Sequence, residues 1–136
     1  MKSKRQQIIK KLDYITSKIV RLKWADNNWN ITCISCWKKI NYKLAHCCHF
    51  IDRWCLQYRF DFDNLRPWCA WCNTYRPEYH IRVYTLKLID EYWLEKVKEM
   101  QNNSKKIFKI SIVELEELLE ERKKILKKLI EQLENR

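Results

Sequence analysis

The chain has 136 residues, which is the size of a single domain. Its 28 Lys and Arg outnumber its 17 Asp and Glu by 11 charges, and most of the excess lies before residue 99. Such an excess favours a polyanionic partner, most commonly nucleic acid. The first residues form no apolar signal segment, and no run approaches the ~18 apolar residues of a membrane span. Seven cysteines, an odd number set partly as Cys-x-x-Cys pairs, argue against a secreted disulfide framework, so we expect a cytoplasmic location.

Glycine is absent from the chain, whereas average usage of about 7% would supply roughly nine residues. Tryptophan is abundant, with seven residues. This composition indicates biased codon usage, a recoded or mistranslated reading frame, or engineering. The sequence does not choose among these three origins.

The N-terminal segment is predicted to be an amphipathic helix over residues 5–23, because apolar residues recur there at three- and four-residue steps. We assign residues 1–25 to this basic helix. Its Lys10, Lys11 and Lys18 are expected to contact phosphate. A break follows at residues 26–28.

Residues 31–73 are predicted to form short elements. The first cysteine pair is expected in a knuckle between two short strands within residues 31–40. Residues 46–52 and 56–60 are both predicted as strands because they are rich in aliphatic and aromatic side chains. Residues 61–64 are predicted as a loop.

The C-terminal part is predicted to be helical. One helix is expected over about residues 79–99, and a linker follows at residues 101–104. A capping box at Ser111 and Glu114 begins a last helix that extends to about residue 134. The leucine and isoleucine stripe of this helix is typical of a packing face or of a homodimer seam. We therefore divide the chain into the N-terminal helix, a core of residues 26–100 and a C-terminal helix of residues 101–136.

Two Cys-x-x-Cys pairs bracket the core. Thiolates two residues apart can reach one ion, so Cys33, Cys36, Cys69 and Cys72 are predicted to bind a structural Zn²⁺. Four buried thiols are the alternative. A zinc ion would hold the two ends of the intervening segment together.

The segment after the first pair carries residues suited to phosphodiester hydrolysis. A nuclease of the ββα-metal type needs a strand histidine to take a proton from water, a divalent ion, and a polar side chain that orients either of them. His49, Asn64 and Asn73 lie at suitable positions, and His46 is a candidate ligand of the catalytic metal. Three alternatives remain open: His49 as a core histidine bonded to a carbonyl, Asn64 as an Asx-turn residue, and Asn73 as a helix cap.

Arginines surround the predicted core, and their planar forks suit phosphate oxygens. The candidates for contacting nucleic acid are Arg53, Arg59, Arg66, Arg76 and Arg82.

These motifs together resemble the NinG (Rap) recombination proteins of lambda-like phages, within the wider group of HNH endonucleases. The segments that carry the resemblance are residues 33–36, 49–50, 58–64 and 69–73, followed by residues 86–90 and 94–97. The likeness covers about residues 24–100 and continues weakly through both flanking helices. It implies an α+β fold with a small zinc-stabilised ββα-metal core and flanking helices. It also implies a metal-dependent endonuclease that acts on branched or duplex DNA in the host cytoplasm.

The resemblance further implies roles for individual residues. His49 falls on the general base, Asn64 on the central asparagine, and Asn73 on a metal ligand or phosphate contact, with Mg²⁺ or Mn²⁺ as the catalytic ion. Trp37, Cys48 and Trp93 stand where the family usually has glycine, which puts retained activity in question. A non-catalytic zinc-ribbon protein that binds nucleic acid is the alternative function.

Overall fold

A computed structural model of the chain describes residues 1–75 and 77–136. Within these residues the protein is α+β, as predicted, with five α-helices and two antiparallel two-stranded sheets. The helices are α1 (Lys4–Lys23), α2 (Leu56–Arg59), α3 (Ala70–Thr74), α4 (Pro77–Asn103) and α5 (Ile112–Glu134). The strands are β1 (Asn30–Thr32), β2 (Lys39–Asn41), β3 (His46–His49) and β4 (Leu65–Trp68). None of the helices in the described ranges is both long and apolar enough to cross a membrane.

The two terminal helices pack against each other. Each begins with a capping box, Ser3 with Gln6 in α1 and the predicted Ser111 with Glu114 in α5. Their apolar stripes meet in one cluster, which contains Ile8, Leu12, Phe60, Leu115 and Leu119. The first half of the α5 stripe is therefore a packing face within the chain.

Each of the two sheets is a pair of short antiparallel strands. Strand β1 pairs with β2, and the turn between them carries the first cysteine pair, as predicted. Strand β3 pairs with β4 so that His46 lies opposite Trp68 and His49 lies opposite Leu65. Strand β3 is shorter than the predicted residues 46–52, and β4 lies in a stretch for which no strand was predicted.

The predicted strand at residues 56–60 is wrong, because these residues form helix α2 and its end. A short apolar run does not distinguish strand from helix by its periodicity. Here a helical turn places Tyr58 and Phe60 in two different apolar clusters, and it directs Arg59 toward α1.

Helix α4 is longer than predicted and contains a break. It runs through the predicted linker to Asn103, because Val97 and Met100 remain buried in the core. At Trp93 the backbone leaves helical geometry, with φ 70° and ψ 161°.

Candidate functional site

The four predicted zinc-binding cysteines lie together. Their Sγ atoms are all within 4.8 Å of one another, and those of Cys36 and Cys69 are 3.7 Å apart. A tetrahedron built on Zn–S bonds of about 2.3 Å has edges of about 3.8 Å. Cys33, Cys69 and Cys72 are buried, and none of the seven cysteines forms a disulfide. This cluster could hold a structural metal such as zinc.

Local backbone turns shape both halves of the cysteine cluster. In the first pair, the Cys33 N–H donates to the Lys38 carbonyl at 2.9 Å, and the Trp37 N–H donates to the Cys33 carbonyl at 3.1 Å. In the second pair, Cys69 caps α3 and its Sγ accepts from the Cys72 N–H at 3.4 Å. Asn73 follows Cys72 directly on α3, so a metal held here would also fix Asn73.

A cleft of about 340 Å³ opens beside β3, between α1, α3 and the loop that leads to α2. It brings together three of the predicted catalytic or metal-binding residues, His46, His49 and Asn73, with two of the predicted nucleic-acid-binding arginines. Its other polar lining residues are Asp13, Thr16, Ser17, Arg21, Cys47, Arg53 and Arg59. The cleft therefore contains both the candidate catalytic residues and the basic residues that phosphodiester hydrolysis would need.

His46 and Asn73 form a pair on the exposed side of this cleft. The Asn73 Nδ2 and His46 Nδ1 atoms are 2.7 Å apart. The Asn73 side chain therefore contacts strand β3, and within the described residues Asn73 lies inside α3 and not at a helix N-cap. An imidazole nitrogen beside an amide is a pair of groups that can bind a divalent ion or a phosphate oxygen.

His49 is partly buried in the cleft, with its ring held by the backbone. Its Nε2 lies 3.2 Å from the Arg59 carbonyl oxygen, so that nitrogen donates the hydrogen bond. Burial lowers the pKa of His49, and the positive charge of Arg53 lowers it further. The hydrogen bond to the Arg59 carbonyl acts in the opposite direction and raises the pKa. The imidazole is thus neutral at pH 7, and its Nδ1 is the nitrogen able to accept a proton.

Asn64 is fully buried, and its side chain holds the loop after β3. Its Oδ1 accepts from the Ile51 N–H at 2.6 Å, and its Nδ2 donates to the carbonyls of Ile51 and Tyr58 at 3.0 and 3.1 Å. Among the described residues Asn64 makes no hydrogen bond to His49. The expectation that Asn64 directly holds the histidine is therefore corrected: it fixes the loop whose Arg59 carbonyl accepts from His49.

Asp13 of α1 is a site residue that the sequence did not reveal. Its carboxylate accepts from Arg59 Nε and Nη2 at 2.8 and 2.6 Å, and from Arg53 Nη2 at 3.1 Å. Two of the predicted nucleic-acid-binding arginines are thus held by a carboxylate within the chain. The available signal was the four-residue spacing of Asp13, Ser17 and Arg21, which places all three on one helix face between apolar positions.

Arg66 does not lie on a surface that nucleic acid can reach, which corrects its prediction. It is 2% exposed, and it donates to the carbonyls of Phe62 and Leu65 and to Glu91 and Tyr92. Its guanidinium also stacks on the Trp24 ring at 4.8 Å. Because all these partners are internal, Arg66 joins β4 to α4.

The remaining predicted basic contacts lie apart from the cleft. Lys10, Lys11 and Arg82 are exposed, and Lys18 is half-buried. They do not line the cleft. Arg76 lies outside the described residues.

Two thiols lie between the two histidines of β3: Cys47 is half-buried and lines the cleft, and Cys48 is buried. Burial raises the pKa of Cys47 to about 12 and raises that of Cys48 well above the usual thiol range. Among the described residues, the His, Cys, Asp and Glu ligand atoms that lie close enough together to share an ion belong to the four-cysteine cluster and not to this run. The alternation of side chains along β3 also places neighbouring members of the run on opposite faces.

These features define a small α+β protein with a four-cysteine cluster that could hold a metal, adjoining a cleft lined by histidine, asparagine and arginine. The chain matches the family model described as Bacteriophage Lambda NinG protein over residues 1–133, and it belongs to that family. The match covers residues 24–100 and both terminal helices, through which the resemblance was expected to continue weakly. No curated protein and no solved structure matches the chain.

Proposed function

We propose that this protein is a metal-dependent DNA endonuclease of the HNH type. The observation that carries the proposal is the cleft in which His46, His49 and Asn73 meet beside Arg53 and Arg59. Strands β3 and β4 pair with each other and α3 follows β4, so they form a ββα unit with α2 inserted between its two strands. The cysteine cluster connects this unit to the β1–β2 turn. The chain belongs to the NinG family, and the resemblance to that family implied such an endonuclease.

In this proposal His49 is the general base. Its Nε2–H is engaged by the Arg59 carbonyl, which leaves Nδ1 to take a proton from the attacking water. The lowered pKa keeps His49 neutral, which is the form a base requires. Burial and a fixed ring orientation are both properties of a preorganised base.

His46 and Asn73 would hold the catalytic divalent ion. When bound, that ion would offset the negative charge that develops on the phosphate. The two residues supply an imidazole nitrogen and an amide oxygen, so water and phosphate oxygens would complete the ligand set. Imidazole suits transition-metal ions better than Mg²⁺, which prefers oxygen ligands, so we expect Mn²⁺ to support the reaction better than Mg²⁺.

Arg53 and Arg59 would bind the DNA backbone at the edge of the cleft. Arg53 keeps 56% of its side chain exposed, whereas Arg59 keeps 13%. Together with the net charge of +11, they predict that DNA affinity falls steeply as salt concentration rises.

A nicking assay tests the proposal. The parent and the His49→Ala variant are compared on a four-way junction and on a matched duplex, with Mn²⁺, with Mg²⁺ and with EDTA. Asn73→Ala is paired with Asn27→Ala, which changes an exposed asparagine outside the cleft. Zinc content and DNA affinity are measured for each variant, so that loss of the fold is not mistaken for loss of catalysis.

The expected result is metal-dependent nicking that is lost in His49→Ala and Asn73→Ala and retained in Asn27→Ala. Binding without nicking, in a protein that keeps its metal, would instead identify a non-catalytic zinc-ribbon protein that binds nucleic acid. The same assay shows whether junctions are preferred over duplex.

A further inference from the structure

Three tryptophans have a backbone conformation that belongs to glycine. Trp29, Trp37 and Trp93 have φ values of 62°, 66° and 70°, and they are the only residues at positive φ in the described ranges. Positive φ is uncommon for any residue with a Cβ, and it is an outlier for a bulky one. At Trp93 the pair of φ 70° and ψ 161° lies in a region that is essentially restricted to glycine.

The positive φ at each position has an identifiable structural cause. At Trp37 the chain turns so that the Lys38 carbonyl accepts a hydrogen bond from the Cys33 N–H. This hydrogen bond closes the turn that contains Cys33 and Cys36. At Trp29 the chain leaves a turn capped by Asp26 and enters β1. At Trp93 it breaks α4 between Leu88 and Val97, both of which are buried. The fold requires these three conformations because hydrogen bonds or buried residues on both sides fix the chain.

The side chains of these tryptophans contribute little burial. Six of the seven tryptophans are exposed, and only Trp68 is buried, at 5%. Tryptophan in folded proteins is highly buried on average. Exposed fractions of 58% for Trp37 and 77% for Trp93 therefore give no packing reason for a large ring at a strained position.

The same chain contains no glycine at all. A 136-residue chain of average composition has roughly nine. Exposed tryptophans in glycine conformations are explained if one codon is read as tryptophan in this sequence and as glycine in the cell that makes the protein. The absence of any other glycine then means that the gene uses this codon in place of the ordinary glycine codons.

We infer that positions 29, 37 and 93 are glycine in the protein made by its own host, and that the gene specifies them with UGA. Some genetic codes read UGA as tryptophan, and others read it as glycine. The consequence for the site is direct, because position 37 closes the turn that presents Cys33 and Cys36. Glycine there relieves the strain in the metal-binding turn, so the host protein retains the metal more tightly than the tryptophan form.

The physical part of this inference is tested by comparing glycine with alanine at each position, since both remove the indole ring. A chain with Trp29→Gly, Trp37→Gly and Trp93→Gly combined serves as background, so that every comparison starts from a relaxed fold. In that background each position is changed singly to alanine. The control is the same glycine and alanine pair at Trp54, which is 85% exposed and lies at negative φ.

The expected result is a fall of several degrees in the thermal unfolding midpoint for alanine at each of the three positions. At position 54, alanine is expected to be equal to glycine or more stable. Zinc retention against a chelator is expected to fall for alanine at position 37. Equal stability of glycine and alanine at positions 37 and 93 would overturn the conformational argument.

The genetic part is tested by the codons themselves. We expect the gene sequence to have UGA at codons 29, 37 and 93. The ordinary tryptophan codon UGG at these three positions would overturn the inference. Trp68 is the contrasting case, because it is buried in β4 and its φ is not positive, so we expect UGG at codon 68.

Discussion

Asp13 provides the most direct test of the proposed site, because it connects α1 to the histidine through one arginine. Its carboxylate binds the side chain of Arg59, and the backbone carbonyl of the same arginine accepts from His49. Replacing Asp13 with asparagine keeps the shape of the side chain and removes the charge. We expect Asp13→Asn to loosen Arg59 and to alter the protonation of His49.

The size of the effect on stability follows from the geometry. Arg59 and Asp13 form a two-point contact with side chains 13% and 25% exposed. A charge-assisted hydrogen bond contributes about 1.5–3 kcal/mol when buried, and an exposed ion pair contributes about 0–1 kcal/mol. The partly buried contact should therefore contribute about 2 kcal/mol, which corresponds to a fall of about 8 °C in the unfolding midpoint for a domain of this size.

The effect on catalysis has a defined sign. The Asp13 carboxylate raises the pKa of His49, against the larger lowering by burial. Removing that charge lowers the pKa further, so His49 stays neutral to a lower pH. The acid limb of the pH–rate profile should then move to lower pH in Asp13→Asn, although the rate at its plateau falls because the ring is held less firmly.

The assay measures nicking rate against pH for the parent, Asp13→Asn and Asp13→Glu, together with the unfolding midpoint. Asp63→Asn is the control, because Asp63 also pairs with a basic residue, Lys96 at 3.7 Å, but on the surface. Glutamate should recover part of both stability and rate. An unchanged acid limb in a folded, active Asp13→Asn protein would refute the link between Asp13 and His49.

Four further predictions have defined outcomes. Cys69→Ser should abolish binding of one zinc per chain, measured by metal analysis, and lower the unfolding midpoint, because three thiolates cannot close the site. Asn64→Ala should cost about 2–4 kcal/mol in denaturant unfolding, since three buried backbone groups lose their partner. Arg66→Lys should lower stability but leave the salt dependence of DNA binding unchanged, whereas Arg53→Gln should do the reverse. Because the folded pKa of His49 lies below its unfolded value, stability should fall as pH drops below about 6.5, and His49→Gln should flatten that part of the curve.

The sequence predicted the long elements and the cysteine cluster well, because both depend on local patterns. Helical periodicity and a capping box located α1 and α5 within one or two residues. Helix α2 and strand β4 were missed because a four-residue element carries too little periodicity to distinguish its type. Their structure is decided by the clusters into which Tyr58, Phe60 and Leu65 pack.

The cleft shows which parts of a site a sequence can reveal. Motif spacing nominated His46, His49 and Asn73, and the fold places all three in one cleft. The prediction for Arg66 was wrong because the sequence around an arginine in a loop-rich segment does not show whether its side chain faces solvent or pairs with an internal carboxylate. Here the partner is Glu91. Asp13 was missed because it lies 36 residues before His49, and only the packing of α1 on β3 and β4 brings them together.

The four-cysteine cluster and the proposed catalytic residues belong to one structural unit. The second cysteine pair lies at the start of α3, and Asn73 is the residue directly after it. The Asn73 side chain contacts His46 of β3. Loss of the metal would release the start of α3 and separate Asn73 from His46, although neither residue is a zinc ligand. Strain at position 37 weakens the same unit from its other end, through the turn that presents Cys33 and Cys36. Activity should therefore follow zinc occupancy across the Cys69→Ser and position-37 variants, even in reactions supplied with excess Mn²⁺.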